Sequence, residues 1–215
     1  MLARRHIPNA ITMTRAAMAI AFFVVLSFYR APNHGVAWLW LAMSLFIAAA
    51  MSDVLDGWLA RRWQVVSLFG RIMDPLCDKL LVLGGFVVLA GQRFAMTPTI
   101  VPEGGFEHLD LLDQASGVYP WVVVVLLARE LLVTAIRAVA ESRGIEFPAK
   151  WAGKLKMFFQ SVSLPVIMGL MAIAPPQTSE VTFWTNHILV WLTVAITVWS
   201  ALPYIAAVRS LEQRA

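Results

Sequence analysis

Charge is scarce in this sequence. Only 14% of its 215 residues are Asp, Glu, Lys or Arg, against about 25% in an ordinary soluble domain. Apolar residues make up 60%, and the mean hydropathy is +0.72. A soluble core has no room for that excess, so a water-soluble globular domain is excluded and the bilayer must be the solvent. Cysteine is nearly absent. Cys77 stands alone, which excludes an intramolecular disulfide and leaves it as a small packing residue. A cleavable signal is missing too: Met1 to Ile11 is polar and basic, and no small-residue cleavage site follows the first apolar run. A net charge of +4 and a pI near 9.6 would suit a nucleic-acid binder. The cations sit instead at the edges of apolar runs, so no nucleic-acid partner is expected.

What is abundant is long apolar runs without strand-like alternation. Six of them span roughly Thr12–Tyr29, Val36–Ala60, Pro75–Gln92, Tyr119–Arg137, Leu155–Ala174 and Phe183–Val208. Each approaches the ~20 residues a helix needs to cross hydrocarbon, and in lipid such runs satisfy their backbone groups as helices. The expected fold is an all-α integral membrane protein with six transmembrane helices, forming one domain over residues 1–215. Pro165 and Pro203 fall inside spans and should kink them. With the N-terminus in the cytoplasm, all 17 lysines and arginines except Arg30 and Arg93 fall on the cytoplasmic side. This positive-inside pattern places both termini there. The segment 1–11 is juxtamembrane. Its Leu2, Ile7 and Ile11 alternate with Arg4, Arg5 and His6, which fits a short interfacial helix on anionic phospholipids and equally a basic terminus. The outer loop, 93–118, is the longest and reads as a solvated connector. Trp38, Trp40, Trp121 and Trp184 read as interfacial belt residues, and a zinc site from His34, His108 and His187 is not expected.

Between the second and third runs lies an acidic constellation. Asp53 and Asp56 are three residues apart and share a helix face; Asp74 and Asp78 are four apart and share another. Antiparallel packing across a short turn would bring the four carboxylates together. In a partly dry bundle they would repel one another and lose hydration, so they need cations to stay ionised. Oxygen-only ligands favour Mg²⁺ or Mn²⁺, and two such ions about 3.5–4 Å apart would clamp a diphosphate for in-line displacement. Gly57 and Ala60 leave room for a nucleotide, and Arg61 can make bidentate contacts with phosphate oxygens. Gly70 either opens the third helix or serves a tight turn.

The string Asp53-Val-Leu-Asp56-Gly57-Trp-Leu-Ala60-Arg61, followed by Gly70-Arg-Ile-Met-Asp74-Pro-Leu-Cys-Asp78, resembles the signature of the CDP-alcohol phosphotransferase family. Every defining position matches, and six spans fit that family as well. The resemblance implies metal ligands Asp53, Asp56, Asp74 and Asp78, with Asp78 as general base toward the acceptor hydroxyl. It implies a CDP pocket lined by Gly57, Ala60 and Arg61, with CDP-diacylglycerol as donor and CMP as leaving group. It also implies a homodimer.

The acceptor is read from two further stretches. Ile7-Pro8-Asn9-Ala10-Ile11-Thr12-Met-Thr-Arg15 resembles the opening of the family's phosphatidylglycerophosphate synthases, although its cardiolipin synthases open similarly. Asn9 and Thr12 share a face that could meet the donor, and both are good helix starters. Arg129-Glu130, Arg137 and Gly153-Lys154-Leu-Lys156-Met157 resemble the second half of the same group, with Met157 where the pattern has Thr. Arg129 and Arg137 are eight residues apart, about two turns on one face. With Lys154 and Lys156 they would suit a phosphorylated acceptor such as glycerol 3-phosphate. The lysines serve equally as anchors on lipid phosphates. Synthesis of phosphatidylinositol phosphate, phosphatidylserine or cardiolipin is the alternative within the family. A divalent-cation transporter is the alternative outside it, disfavoured because the aspartates lie at the cytoplasmic edge beside arginines. The absence of a transit peptide and the simple topology point to a bacterial cytoplasmic membrane, with the site facing the cytoplasm.

Overall fold

The computed structural model describes residues 3–31, 35–63, 68–96, 114–144 and 151–206, with side chains from 12 onward except in 54–63 and 68–72. Among the described residues six long helices follow one another: α1 Ala3–Leu26, α2 Val36–Trp63, α3 Leu68–Leu89, α4 Pro120–Ser142, α5 Trp151–Ile173 and α6 Glu180–Trp199. Among the described residues there is no β-strand, only an isolated bridge between Ala95 and Gln114.

Among the described residues three helices are long and apolar enough to cross a membrane, within Val36–Asp53, Trp151–Ile173 and Glu180–Ala206; α1 adds the shorter apolar stretch Thr12–Leu26. Helices α3 and α4 fall short of that composition because charges interrupt them. Asp74, Asp78 and Lys79 lie in α3, and Arg129, Glu130 and Arg137 lie in α4. The described surface is apolar: Leu131, Ile173, Val181 and Ile188 are all exposed. Trp38, Trp40, Trp121 and Trp184 are exposed as well. Such a surface is stable only in an apolar solvent.

The core repeats at helical spacing. Ala19, Phe22 and Leu26 of α1 meet Leu39, Ala42, Phe46 and Ala49 of α2, all buried. The Phe22 and Phe46 rings lie 5.6 Å apart. Helix α3 approaches closely because it offers Gly84 and Gly85. A Cβ at Gly84 would fall 2.5 Å from the Phe23 ring, and one at Gly85 would fall 2.9 Å from Leu164 Cδ1. Small residues at such contacts let helices close up where no hydrophobic effect drives them together.

Helix α3 starts at Leu68, seven residues before the expected Pro75. Pro75 therefore lies inside a helix, and Gly70 sits in the first turn instead of opening it. Helix α5 runs unbroken through Pro165. At Pro203 the outcome differs. The α-helical pattern stops at Trp199 and resumes at Leu202, through three-residue bonds from Ala201 N to Val198 O (3.0 Å) and Tyr204 N to Ala201 O (2.9 Å). Proline has no N–H for the carbonyl four residues earlier, which is that of Trp199, and its ring crowds it.

The outer loop is not simply solvated. Its middle, 97–113, lies outside the described residues, but both ends are packed. Phe94, Ala115, Ser116 and Val118 are buried, Ala115 N donates to Phe94 O at 2.8 Å, and Ser116 Oγ donates to Leu89 O at 2.8 Å. Gly117 takes φ +69° with His187 N only 3.0 Å from where a Cβ would stand. His187 bonds Tyr119 through Nε2 and Phe183 O through Nδ1, so it ties this loop to α6. His34 and His108 lie outside the described residues.

Candidate active site

The sequence placed Asp53 and Asp74 on different helices, and the fold brings them to one guanidinium. Arg15 of α1 is 1% exposed; its Nη1 donates to Asp53 Oδ1 and its Nη2 to Asp74 Oδ1. Thr12, one turn earlier on α1, donates through Oγ1 to the same Asp74 oxygen at 3.0 Å. Both carboxylates are nearly half exposed, at 46% and 43%. Three helices thus meet at one polar junction inside an otherwise apolar bundle.

Asp78, one turn beyond Asp74, lines a cavity of about 190 Å³. Pro75, Lys79, Val82 and Leu83 of α3 form one wall; Glu130 of α4 and Lys156, Met157 and Gln160 of α5 form the others. Met157 brings a thioether to this wall where a hydroxyl would be a hydrogen-bonding group.

Opposite Asp78 the charges form a network. Glu130 accepts from Arg129 Nη1 at 2.8 Å and from Lys156 Nζ, with Lys79 Nζ 3.8 Å away. Lys79 also donates to Thr134 Oγ1 at 3.0 Å. Ionised groups within an apolar helix bundle need such partners, and the Glu130 carboxylate offsets the mutual repulsion of the cations around it. Arg129 Nε donates to Ser200 Oγ (3.0 Å), and Arg137 Nη2 donates to the Tyr204 hydroxyl (3.2 Å). Arg129 Nη2 and Arg137 Nε are buried without a hydrogen-bond partner among the described residues.

The structure therefore joins Thr12, Asp53 and Asp74 on one side, and Arg129, Arg137 and Lys156 on the other, with Asp78 at the cavity between helices. It does not join Lys154, which is exposed. The side chains of Asn9, Asp56, Ala60 and Arg61 and the surroundings of Gly57 and Gly70 lie outside the described residues. Arg15, Lys79, Glu130, Ser200 and Tyr204 are the participants absent from the expected site. Arg15 had one legible signal, its position three residues beyond Thr12 on the same face.

Among the described residues no three of His, Cys, Asp and Glu converge as a metal site. The donor chemistry nonetheless fits a hard divalent cation. Asp53 and Asp74 offer oxygen only, remain open to solvent, and already share one positive group, the Arg15 guanidinium.

The family model described as CDP-alcohol phosphatidyltransferase matches residues 5–199. Among curated proteins, the chain is similar to a "Probable phosphatidylglycerophosphate synthase" of Mycobacterium tuberculosis, at 30% identity over 94% of this chain and 80% of the relative. It is similar to the "CDP-diacylglycerol–glycerol-3-phosphate 3-phosphatidyltransferase" of Bacillus subtilis, at 28% identity over 93% of both chains. A protein of the same description from Shigella flexneri is 29% identical over 95% of this chain and 96% of its own. Signature, helical architecture and family match agree: the chain belongs to the CDP-alcohol phosphatidyltransferase family.

Proposed function

We propose that this protein is a multi-pass membrane enzyme that transfers the phosphatidyl group of CDP-diacylglycerol to glycerol 3-phosphate and releases CMP. The observation that carries the reading is the cavity that has Asp78 on one wall and the Glu130–Lys156 network on another. An acid–base group and Lys156, a cation for a phosphorylated acceptor, thereby share one cavity. The names of the similar proteins favour glycerol 3-phosphate over inositol phosphate, serine or phosphatidylglycerol.

In this reading Asp53, Asp56, Asp74 and Asp78 hold two Mg²⁺ or Mn²⁺ ions, which supply charge neutralisation for the diphosphate. Gly57, Ala60, Arg61 and Gly70 border the cytidine diphosphate, and Asn9 and Thr12 approach it from α1. Thr12 is already aligned on Asp74. Asp78 accepts the proton of the acceptor hydroxyl. The freed oxygen bonds to the phosphorus that bears diacylglycerol, the bond from that phosphorus to the bridging oxygen breaks, and CMP departs with the electron pair. Arg129 and Arg137 receive the acceptor phosphate, since guanidinium forks match phosphate geometry. Lys156 lines the cavity that holds Asp78, and Lys154 lies further out as a membrane-edge cation.

Six membrane crossings, cytoplasmic termini, a site facing the cytoplasm of a bacterial inner membrane, phospholipid contacts along the apolar faces and a homodimer complete the proposal. Fixed pairing of Arg15 with Asp53 and Asp74 speaks against a cation-transport path through these carboxylates. The test is the product. Protein in detergent with Mg²⁺, CDP-diacylglycerol and isotopically labelled glycerol 3-phosphate should place the label in a lipid with the mass of phosphatidylglycerol phosphate. Label left entirely in the aqueous phase would refute the assignment.

A further inference from the structure

Two guanidiniums on one helix, Arg129 buried and Arg137 half-buried, repel each other and have many rotamers to choose from. Something must set Arg129 and Arg137 in register, and the described neighbours of both converge on the end of α6. Tyr204 is 1% exposed. Its ring lies beneath both cations, 5.9 Å from Arg129 Cζ and 5.5 Å from Arg137 Cζ, and its hydroxyl accepts from Arg137 Nη2 at 3.2 Å. An aromatic face attracts cations over it, so one ring steadies two guanidiniums whose charges would otherwise separate them. Ser200 fixes the remaining degree of freedom. Its Oγ accepts from Arg129 Nε at 3.0 Å while donating to Thr197 O at 2.7 Å.

The break in α6 is what makes this possible. Ser200 and Tyr204 are four residues apart, and the turn at Ser200–Ala201 before Pro203 changes the direction in which the second is presented. The start of α5 packs beside the phenol: a Cβ at Gly153 would stand at ordinary contact distance, 3.6 Å, from the Tyr204 hydroxyl oxygen. Each arginine retains one buried N–H donor without a partner among the described residues, Nη2 on Arg129 and Nε on Arg137. Buried orphan donors are costly unless a ligand completes them. Guanidinium donors left over in this way suit an oxyanion.

We propose that Tyr204, presented by the helix break and assisted by Ser200, is a positioning residue that holds Arg129 and Arg137 in the orientation that receives the acceptor's phosphate. The inference rests on the reading of Arg129 and Arg137 as the acceptor-phosphate pocket. Tyr204 itself touches no reacting atom.

The test is steady-state kinetics of the full chain in detergent, with each substrate varied in turn. Tyr204→Phe keeps the ring and loses the hydroxyl; it should raise KM for glycerol 3-phosphate by about 3–10-fold, the scale of one ordinary hydrogen bond net of its exchange with water. Tyr204→Leu should raise it further, and neither should move KM for CDP-diacylglycerol. If the leucine variant does not fold, the phenylalanine variant carries the test. Arg137→Ala is the reference. If it raises KM for both substrates equally, the pocket reading itself is wrong. If it acts on glycerol 3-phosphate alone while Tyr204→Phe behaves as wild type or affects both substrates alike, the pocket stands and the positioning role falls. The role also requires that Tyr204→Phe add little in the Arg137→Ala background; full additivity would contradict it.

Discussion

A guanidinium with 1% of its surface exposed lies against two carboxylates at Arg15. Removing it leaves Asp53 and Asp74 facing each other with no positive charge between them. Breaking a fully buried pair costs about 3–5 kcal/mol, and these carboxylates are nearly half exposed, so a smaller loss is expected. Arg15→Ala should lower the melting temperature in chelator and regain part of the loss when Mg²⁺ is added. An unchanged melting curve in chelator would show that the contact contributes no stability. Asp78 makes a separate prediction. Asp78→Asn should abolish turnover while largely sparing CDP-diacylglycerol binding, measured by equilibrium binding in detergent; near wild-type turnover would remove it as the base. The side chain of Asp56 lies outside the described residues, while the placement of Asp53 and Asp74 on successive helices was legible from run length and spacing. Arg15 was not, because charge counting reads a cation near the start of an apolar run as a flank, and only packing shows which carboxylates it meets.

At the scale of elements, the helices were legible from apolar run length and their ends were not. Helix α3 extends back to Leu68 because Gly70, Arg71 and Asp74 interrupt the apolar run without ending the helix, so hydropathy marks only the uninterrupted part. Helix α6 breaks ahead of Pro203, and whether a proline kinks or interrupts depends on what satisfies the freed carbonyl, which sequence does not state. The serine and tyrosine that reach Arg129 and Arg137 come from that break, which is why they were missed. The ends of the outer loop depend on another local feature, the left-handed turn at Gly117. Gly117→Ala should destabilise the protein by about 1–2 kcal/mol through the left-handed backbone alone, and more because a Cβ would press on the His187 backbone. Thermal denaturation in detergent would show it. A variant as stable as wild type would mean that the loop base contributes nothing to the bundle.

For the whole molecule, the excess of apolar residues found its place on the outside. Buried residues form helical stripes, and Val181, Leu131 and Ile173 on the opposite faces are more than two-thirds exposed. Among the charged residues that interrupt α3 and α4, Asp78, Lys79 and Glu130 line the cavity. Function was therefore legible as a departure from the apolar pattern: where ionised residues interrupt a membrane helix, they do so to build a site. Their mutual arrangement was not legible. Lys156 was grouped with the acceptor cations, yet its described partner is Glu130, a pairing between residues on two helices that spacing along one chain does not reveal.

The central claim is transfer to a phosphorylated acceptor at a metal-dependent site. Its most direct test is CMP release by the purified protein with CDP-diacylglycerol and Mg²⁺, comparing glycerol 3-phosphate, inositol phosphate, serine and phosphatidylglycerol, with and without chelator. The account predicts release that needs glycerol 3-phosphate and stops when the divalent cation is removed. Release that favours another acceptor, or that persists in chelator, would contradict it.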